Sequence, residues 1–137
     1  MRIVYVDTGA WIALLRMRDG AHQKVAHHFR AIARSSLLVT SEPAIAETAT
    51  RLRYDAGLSA ALGFHRHLEE AFKLGRLRIR DTDAALRRQA FAIMEQHGDL
   101  ALSYADCVGV AVAREVRASA VLGLDNDFRV LGFTLEP

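Results

Sequence analysis

Residues 3–17 read Ile-Val-Tyr-Val-Asp-Thr-Gly-Ala-Trp-Ile-Ala-Leu-Leu-Arg-Met, and this stretch decides the fold. Ile3 to Val6 is a short apolar run that predicts a buried strand, and Thr8 to Met17 predicts a helix directly after it. Asp7 separates the two elements. The same change from a short apolar run to a longer helical pattern recurs along the chain, which is typical of an α/β protein with a parallel sheet.

The remaining elements continue this alternation. Strands are predicted at 37–40, 76–80, 120–124 and 133–135, and helices at 21–34, 43–55, 58–74, 82–97, 103–116 and 127–130. In the helix over 58–74, we expect Leu62, His65, Leu68 and Phe72 to share one face. No repeat, low-complexity segment or linker interrupts the pattern, so we expect a single domain over residues 1–137.

The composition is that of an ordinary globular domain. Of 137 residues, 51% are hydrophobic and 25% are charged. No apolar run reaches the roughly 18 to 20 residues that a membrane span needs. The first residues turn acidic too soon for a signal peptide, so we expect a soluble, cytoplasmic protein. Cys107 is the only cysteine, which excludes an internal disulfide and a cysteine-rich zinc site.

The basic residues are strongly biased toward arginine. Sixteen arginines stand against two lysines, although the net charge is only +2. Because the guanidinium group binds phosphate through two parallel hydrogen bonds, this bias is compatible with an RNA partner. A GC-rich genome would produce the same bias through codon usage, and the sequence leaves both explanations open.

Five acidic residues lie close to predicted strand ends or helix starts. Asp7 follows the first strand, and Glu47 lies about two turns beyond the second. Asp125 and Asp127 follow the strand at 120–124, while Asp106 lies near the start of the helix that leads into it. Since functional groups of open α/β sheets collect beyond the carboxyl ends of the strands, we expect these acids to converge on one cleft.

Asp106 has the most unusual surroundings of the five. It is the only charged residue between Leu100 and Ala113. An ionised carboxylate in an apolar setting is costly unless it is paired, hydrogen-bonded or bound to a metal. No cation lies within a helical turn, so we expect a partner that is distant in sequence.

Each acid also has an interpretation that involves only its neighbours in the chain. Asp7 could cap a helix, and Glu47 could form a surface pair with Arg51 at i,i+4 spacing. Asp106 could form a capping box with Ser103, and Asp125 could form a turn with Asp127. No single residue decides between the two interpretations, whereas the joint placement favours a common site.

Several carboxylates in one cleft indicate a hard divalent cation. The carboxylates would repel one another without a counter-charge, and oxygen-rich clusters suit Mg²⁺ or Mn²⁺ better than zinc or copper. Near a phosphodiester, such an ion activates water and stabilises charge on the attacked phosphate. The pattern therefore predicts metal-dependent hydrolysis of phosphodiester bonds.

Four segments together resemble a known family. They are Val-Asp-Thr-Gly-Ala-Trp-Ile-Ala-Leu-Leu at 6–15, Thr-Ser-Glu-Pro-Ala-Ile-Ala-Glu-Thr at 40–48, Leu-Ser-Tyr-Ala-Asp-Cys at 102–107 and Leu-Gly-Leu-Asp-Asn-Asp-Phe at 122–128. In order and spacing they resemble the PIN domain, the nuclease fold of VapC-type toxins. The resemblance implies a three-layer α/β/α sandwich with a central, mainly parallel sheet of four to five strands.

The resemblance also implies an activity and its residues. It implies Mg²⁺- or Mn²⁺-dependent cleavage of RNA by the toxin of a type II toxin–antitoxin pair, with a small antitoxin as partner and a homodimer as the usual assembly. The implied catalytic and metal-binding residues are Asp7, Glu47, Asp106 and Asp125, with Asp127 as a second-tier ligand. Thr8 is the implied hydroxyl that orients a water near the ion.

Gly9 and Gly123 depart from the family pattern. Serine is common at the first position and threonine at the second, so two hydroxyls near the metal are missing. A catalytically weak PIN-fold module that binds RNA or protein therefore remains an alternative, as does a housekeeping PIN nuclease in RNA processing. A receiver domain is disfavoured because Asp7 has no acidic neighbour and no lysine follows Lys73.

Other residues that attract notice have simpler interpretations. The histidine pairs, 27 with 28 and 65 with 67, lack the i,i+4 spacing of a helical zinc pair, so we expect helical surface or partial core. Cys107 is expected to be a small buried residue. Trp11 is expected to belong to the core rather than to a partner groove.

Overall fold

A computed structural model describes all residues, 1–137. The elements in chain order are β1 (Arg2–Val6), α1 (Thr8–Leu15), α2 (His22–Ile32), β2 (Ser36–Ser41), α3 (Glu42–Asp55), α4 (Leu58–Lys73), β3 (Leu77–Arg80), α5 (Ala84–Gln96), α6 (Tyr104–Glu115), β4 (Ala120–Leu122), α7 (Asp127–Val130) and β5 (Leu135–Glu136). Every predicted element is present, and most bounds differ from the prediction by one or two residues. None of the helices is long and apolar enough to pass through a membrane.

The five strands form one sheet in which every neighbouring pair is parallel. Their order is β3-β2-β1-β4-β5, so β1 lies at the centre. Val4 pairs with Leu38 of β2 on one side and with Ala120 of β4 on the other. The predicted parallel sheet of four to five strands is confirmed, and β3, in which Arg78 and Arg80 alternate with Leu77 and Ile79, is an edge strand.

Helices cover both faces of the sheet and complete a three-layer α/β/α sandwich. Val4 and Val6 of β1 belong to a cluster with α1, α2 and α4, whereas Tyr5 belongs to a second cluster with α5 and α6. This alternation follows from the strand itself, because successive side chains point to opposite faces. Helix α3 packs against α1, α4 and α6.

Tyr5 and Gly109 allow β1 and α6 to approach closely. The Tyr5 side chain is fully buried, and a Cβ atom placed on Gly109 would lie 2.9 Å from its ring and its hydroxyl oxygen. Only glycine leaves room for the ring against the helix backbone at this point. The Tyr5 hydroxyl and the Ser41 Oγ are hydrogen-bonded at 2.9 Å, which connects β1 to the end of β2.

The buried face of α4 differs from the predicted one. Phe64 and Leu68 are buried, whereas Leu62 is 47% and Phe72 57% exposed. Both sets of residues have helical spacing and apolar members, so periodicity alone did not distinguish them. The position of α4 against Trp11 and the α1–α2 layer makes Phe64 the inward residue.

Trp11 is a core residue, as expected. Its side chain is 4% exposed, and its ring packs against Phe29 and Phe64 with centroid distances of 6.4 and 5.7 Å. The indole Nε1 donates to Thr40 Oγ1 at 3.0 Å, and that hydroxyl donates to the carbonyl oxygen of Val6 at 2.9 Å. These bonds tie α1 to the ends of β1 and β2.

We predict opposite effects for alanine at two helical glycines. Gly109→Ala should lower the free energy of unfolding by about 1 to 3 kcal/mol, because the new methyl group overpacks the Tyr5 ring. Gly63→Ala in α4 is the control, since its nearest contact would be a guanidinium nitrogen of Arg66 at 3.6 Å. It should raise stability by about 0.5 to 1 kcal/mol through helix propensity. Urea denaturation measures both changes, and an unchanged Gly109→Ala midpoint would show that α6 can move away from β1 without cost.

Candidate active site

Four of the predicted acids come together at the carboxyl edge of the sheet. Asp7 directly follows β1, Glu47 lies in the second turn of α3 after β2, Asp106 lies in the first turn of α6, and Asp125 follows β4. The negative charges of Glu47, Asp106 and Asp125 each raise the pKa of Asp7, which places all three near its carboxyl group. The expected convergence therefore occurs in the structure.

Asp7 is the most buried of these acids. Its side chain is 5% exposed, and its Oδ1 atom is buried without a hydrogen-bond partner. Asp7 occupies the N-cap position of α1, yet its carboxylate forms no capping hydrogen bond, which disfavours the simple helix-cap interpretation. The pKa of Asp7 is raised from 3.8 to about 7. Burial is the largest cause, repulsion by Asp106 adds to it, and the Thr8 backbone N–H opposes the change.

Asp106 has a local partner, which the sequence analysis did not expect. The Ser103 backbone N–H donates to Asp106 Oδ2 at 2.9 Å, and the Asp106 backbone N–H donates to Ser103 Oγ at 3.1 Å. This is the capping box considered as an alternative, and it stabilises the start of α6. The expectation that only a distant partner makes Asp106 tolerable was wrong: the helix end supplies an N–H donor, and the side chain is half-buried rather than enclosed.

Glu47 is half-buried on the side of α3 that faces α6. Burial raises the pKa of Glu47, the negative charge of Asp106 raises it further, and the positive charge of Arg51 lowers it. No ion pair joins Glu47 to Arg51, so the surface-pair interpretation is not realised in this conformation. Glu47 thus interacts with an acid on another helix as well as with its helical neighbour.

Asp125 and Asp127 form the turn that was considered for them. The Asp127 backbone N–H donates to Asp125 Oδ1 at 2.9 Å. Burial raises the pKa of Asp127, and the charges of Asp125 and Asp106 raise it further. Both acids therefore lie within electrostatic range of the other carboxylates, with Asp125 acting directly on Asp7.

Tyr5 lies beneath the acids, and sequence reasoning missed it. Burial raises the pKa of its hydroxyl far above the ordinary value, and the charges of Asp7, Asp106 and Glu47 contribute. The hydroxyl is therefore neutral and serves as a hydrogen-bonding group that joins β1 to Ser41, the N-cap residue of α3. The signal was a tyrosine in a buried apolar strand, because a buried hydroxyl requires a partner.

Gly9 and Gly123, the two glycines that depart from the family pattern, have different surroundings. A Cβ atom on Gly9 would contact only the side chain of Leu124, at 3.8 Å, so a serine fits there. A Cβ atom on Gly123 would lie 3.4 Å from the Cβ of Asp7, so any side chain at this position adjoins the buried acid. The Thr8 Oγ1 is also buried without a hydrogen-bond partner.

The remaining candidates lie away from the acids or have structural roles. Cys107 is fully buried, as expected. His22 bonds the carbonyl oxygen of Ala13, and His28 bonds Glu136 at 2.6 Å. His65 and His67 are exposed on α4. No histidine is among the groups that raise the pKa values of Asp7, Glu47 and Asp127.

Comparison with known families decides the classification. The sequence model of the PIN domain matches residues 4–134, which is nearly the whole chain. The chain belongs to the PIN domain family. The resemblance inferred from the four motifs is therefore confirmed. A comparison with curated proteins found no match.

Three solved structures are similar to this PIN domain along nearly its whole length. VapC20 of Mycobacterium tuberculosis, described as a sarcin–ricin loop cleaving toxin, has a TM-score of 0.85 at 26% identity, covering 98% of this chain and 99% of that one. VapBC2 of Rickettsia felis, solved with a DNA fragment from its promoter, has a TM-score of 0.69 at 16% identity, with coverage of 98% and 97%. FitAcB of Neisseria gonorrhoeae has a TM-score of 0.64 at 20% identity, with coverage of 98% and 96%. The last two show the shared fold alone.

The acids of this PIN domain fit a divalent cation in donor type and charge. PIN nucleases generally use divalent metal ions. None of the five acids forms an ion pair, and the buried Oδ1 of Asp7 lacks any partner. The side chains do not form a complete ligand set as they stand, since no group of three His, Cys, Asp or Glu residues is arranged to hold an ion. Binding would therefore draw the carboxylates closer together.

We predict that Asp7 makes the metal-free PIN domain less stable as the pH rises. Its folded pKa of about 7 exceeds the ordinary value of 3.8, so the folded state holds the proton more tightly than the unfolded state. The free energy of unfolding should fall between about pH 4 and pH 7 by up to about 4 kcal/mol, at about 1.4 kcal/mol per pH unit. Glu47 and Asp127, whose pKa values are also raised, act in the same direction.

Asp7→Asn should remove most of this dependence and leave a protein more stable than the parent at pH 8. Urea denaturation in EDTA at pH 4, 6 and 8 measures the effect. Asp99→Asn, at an exposed acid outside the cluster, is the control and should follow the parent. If the free energy of unfolding changes with pH in the same way for Asp7→Asn and for the parent, the pKa of Asp7 is not raised in the folded protein.

Proposed function

We propose that this PIN domain, residues 1–137, is an Mg²⁺- or Mn²⁺-dependent endoribonuclease and the toxin of a type II toxin–antitoxin system. The observation that carries the proposal is the buried, unpartnered carboxylate of Asp7 among Glu47, Asp106 and Asp125 at the carboxyl edge of the sheet. The similarity to VapC20, whose description names a loop-cleaving toxin, supports the choice of an RNA substrate.

We assign the ligand role to Asp7, Glu47, Asp106 and Asp125, with Asp127 in a second tier. A bound divalent ion would lower the pKa of water and neutralise charge on the attacked phosphate. Asp7 provides a buried carboxylate oxygen, Oδ1, to which no group of the protein forms a hydrogen bond. Asp106 combines the ligand role with its place in the capping box, where the Ser103 N–H fixes one of its oxygens.

We assign Thr8 to orienting a water molecule beside Asp7. Its hydroxyl is buried, lies next to Asp7 in the chain and makes no hydrogen bond to the protein. A hydroxyl can accept and donate at once, which suits it to hold a water for in-line attack on phosphorus. Gly9 and Gly123 stand where the family often has serine and threonine, and they contribute no hydroxyl. Thr8 therefore provides the hydroxyl nearest to Asp7 along the chain.

Unpaired arginines support a nucleic-acid substrate. Among the sixteen arginines, only Arg2, Arg16 and Arg80 form ion pairs with acidic side chains. Arg51 lies beside Glu47 and exposes its guanidinium group. Free guanidinium groups next to the acid cluster can bind the phosphates that flank a cleavage site.

The cleavage assay tests the proposed nuclease. The parent protein should cut single-stranded or looped RNA with Mg²⁺ or Mn²⁺, and EDTA should abolish cleavage. Asp7→Asn and Asp106→Asn should each reduce the rate by at least about 100-fold, because even residues behind metal ligands are worth about 10 to 100-fold. Asp99→Asn is the matched control and should cleave like the parent. Retained cleavage in both acid variants would refute the proposed site.

The toxin assignment requires two protein partners. We propose a small antitoxin that covers the active site and a second copy of this chain that forms a homodimer. The similarity to VapC20, whose description calls it a toxin, supports the antitoxin, because a cell that makes a toxin needs a protein that blocks it. We place the activity in the cytoplasm, where RNA and an antitoxin encoded beside the toxin would both be present.

Expression in a bacterial host tests the toxin assignment. Induction of the parent chain should arrest growth, and coexpression of a short reading frame immediately upstream of the gene should restore it. Asp7→Asn should not arrest growth, although it should accumulate to the same level. Full growth with an active parent nuclease, or the absence of an upstream reading frame, would favour the housekeeping nuclease instead.

A further inference from the structure

A cleft adjoins the acid cluster, which consists of Asp7, Glu47, Asp106 and Asp125, on the side of α3. It lies between α3 and the start of α6 and has a volume of about 710 Å³. Glu47 lines it, and so do Ser103 and Ala105, which precede Asp106 by three residues and one residue in the chain. The cleft therefore begins at the proposed catalytic residues and extends away from them. We call it the Tyr104 cleft, after the aromatic residue in its wall.

Tyr104 presents an aromatic ring to this cleft. It is the first residue of α6 and is half-buried. Its ring packs against Phe91 of α5, with a centroid distance of 5.4 Å and an angle of 36° between the planes. Phe91 is itself 53% exposed. The two rings thus form a partly accessible aromatic pair, in which Tyr104 also packs against the core cluster of α5 and α6 and lies two residues before Asp106.

The polar residues of the Tyr104 cleft suit a nucleotide. Arg51 and Thr50 line it from α3, and Thr82 lines it from the segment before α5. The Thr82 hydroxyl is buried without a hydrogen-bond partner. Arg51 is exposed and forms no ion pair. The cleft thus combines an aromatic ring with an unpaired cation.

We propose that the Tyr104 cleft binds the nucleotide next to the scissile phosphate, with its base unstacked from its neighbours and placed against Tyr104. This inference rests on the proposed nuclease, since the acid cluster defines where the scissile phosphate lies. Arg51 binds a phosphate of the same nucleotide. Aromatic rings bind single-stranded RNA by stacking with any base, whereas a paired base offers no free face.

A fluorescence experiment tests this site without relying on cleavage. All variants carry Asp7→Asn, so the RNA stays intact. The probe is a 12-nucleotide single-stranded RNA with one 2-aminopurine, moved along the strand in successive probes. Stacking on Tyr104 should quench the fluorescence at one or two adjacent positions. Tyr104→Ala should abolish the quenching and weaken binding about tenfold.

Two controls separate stacking from damage to the fold. Tyr104→Phe keeps the ring and should retain both quenching and affinity. Tyr54→Ala removes a tyrosine of α3 that is 83% exposed and does not line the cleft, so it should have no effect. Thermal melts of all variants show whether each is folded. If Tyr104→Ala is folded and neither its quenching nor its affinity changes, the proposal is wrong.

The arginine is tested by its salt dependence. Arg51→Gln should weaken RNA binding. It should also reduce the slope of log affinity against log salt concentration by about 0.7, which corresponds to one phosphate contact on a single strand. Arg53→Gln, two residues away and outside the cleft, should change the slope little. A duplex RNA that binds with the same dependence on Tyr104 would overturn the stacking mechanism.

The outcomes distinguish this site from the nuclease itself. If quenching depends on Tyr104 but the parent protein cleaves no RNA, the binding site stands and the nuclease fails. If cleavage depends on the acids but quenching does not depend on Tyr104, only the binding site fails. In an active parent, Tyr104→Ala should raise KM more than it lowers kcat, because stacking contributes to binding before and during reaction.

Discussion

The close approach of Tyr5 to Gly109 determines where the acids of this protein lie. The ring occupies the space that a side chain on α6 would fill, so α6 lies directly against β1. Asp106 is one turn earlier on that helix, and Asp7 is two residues later on that strand. The hydroxyl of the same ring bonds Ser41, the N-cap residue of α3. One side chain thus positions the three elements that carry Asp7, Glu47 and Asp106.

This arrangement places charge where the fold does not neutralise it. Asp7 is buried without a hydrogen bond to one of its oxygens, and three further carboxylates act on it. Such a site costs stability unless a proton or a cation is present. The surrounding apolar packing compensates for that cost, since both core clusters meet at β1. The acids therefore destabilise the fold locally, and the apolar packing around β1 holds them in place despite that cost.

The sequence predicted the framework better than the details of the site. The alternation of apolar runs and helical patterns is repeated along the chain, so the order of elements and the parallel sheet followed from it. Asp106 shows where this reasoning ends: whether its carboxylate bonds Ser103 depends on a few ångströms that periodicity does not specify. The same holds for α4, where residues 62, 65 and 72 and residues 64 and 68 both form helical stripes, and only packing against Trp11 selects the second. Tyr5 was missed because its partner, Ser41, belongs to another strand.

The order of strands affects when the proposed active site comes into existence during synthesis. Strand β1 is made first, but its neighbour β4 consists of residues 120–122 and pairs with it only after most of the chain has been translated. Asp125 follows β4, and Asp106 reaches its place with α6 shortly before. A growing chain that ends just before residue 120 therefore carries Asp7, Glu47 and Asp106 but lacks Asp125 and the strand that pairs with β1 on that side. The four proposed ligands can therefore come together only after residues 120–125 have been synthesised, when β4 completes the pairing of β1 in the sheet.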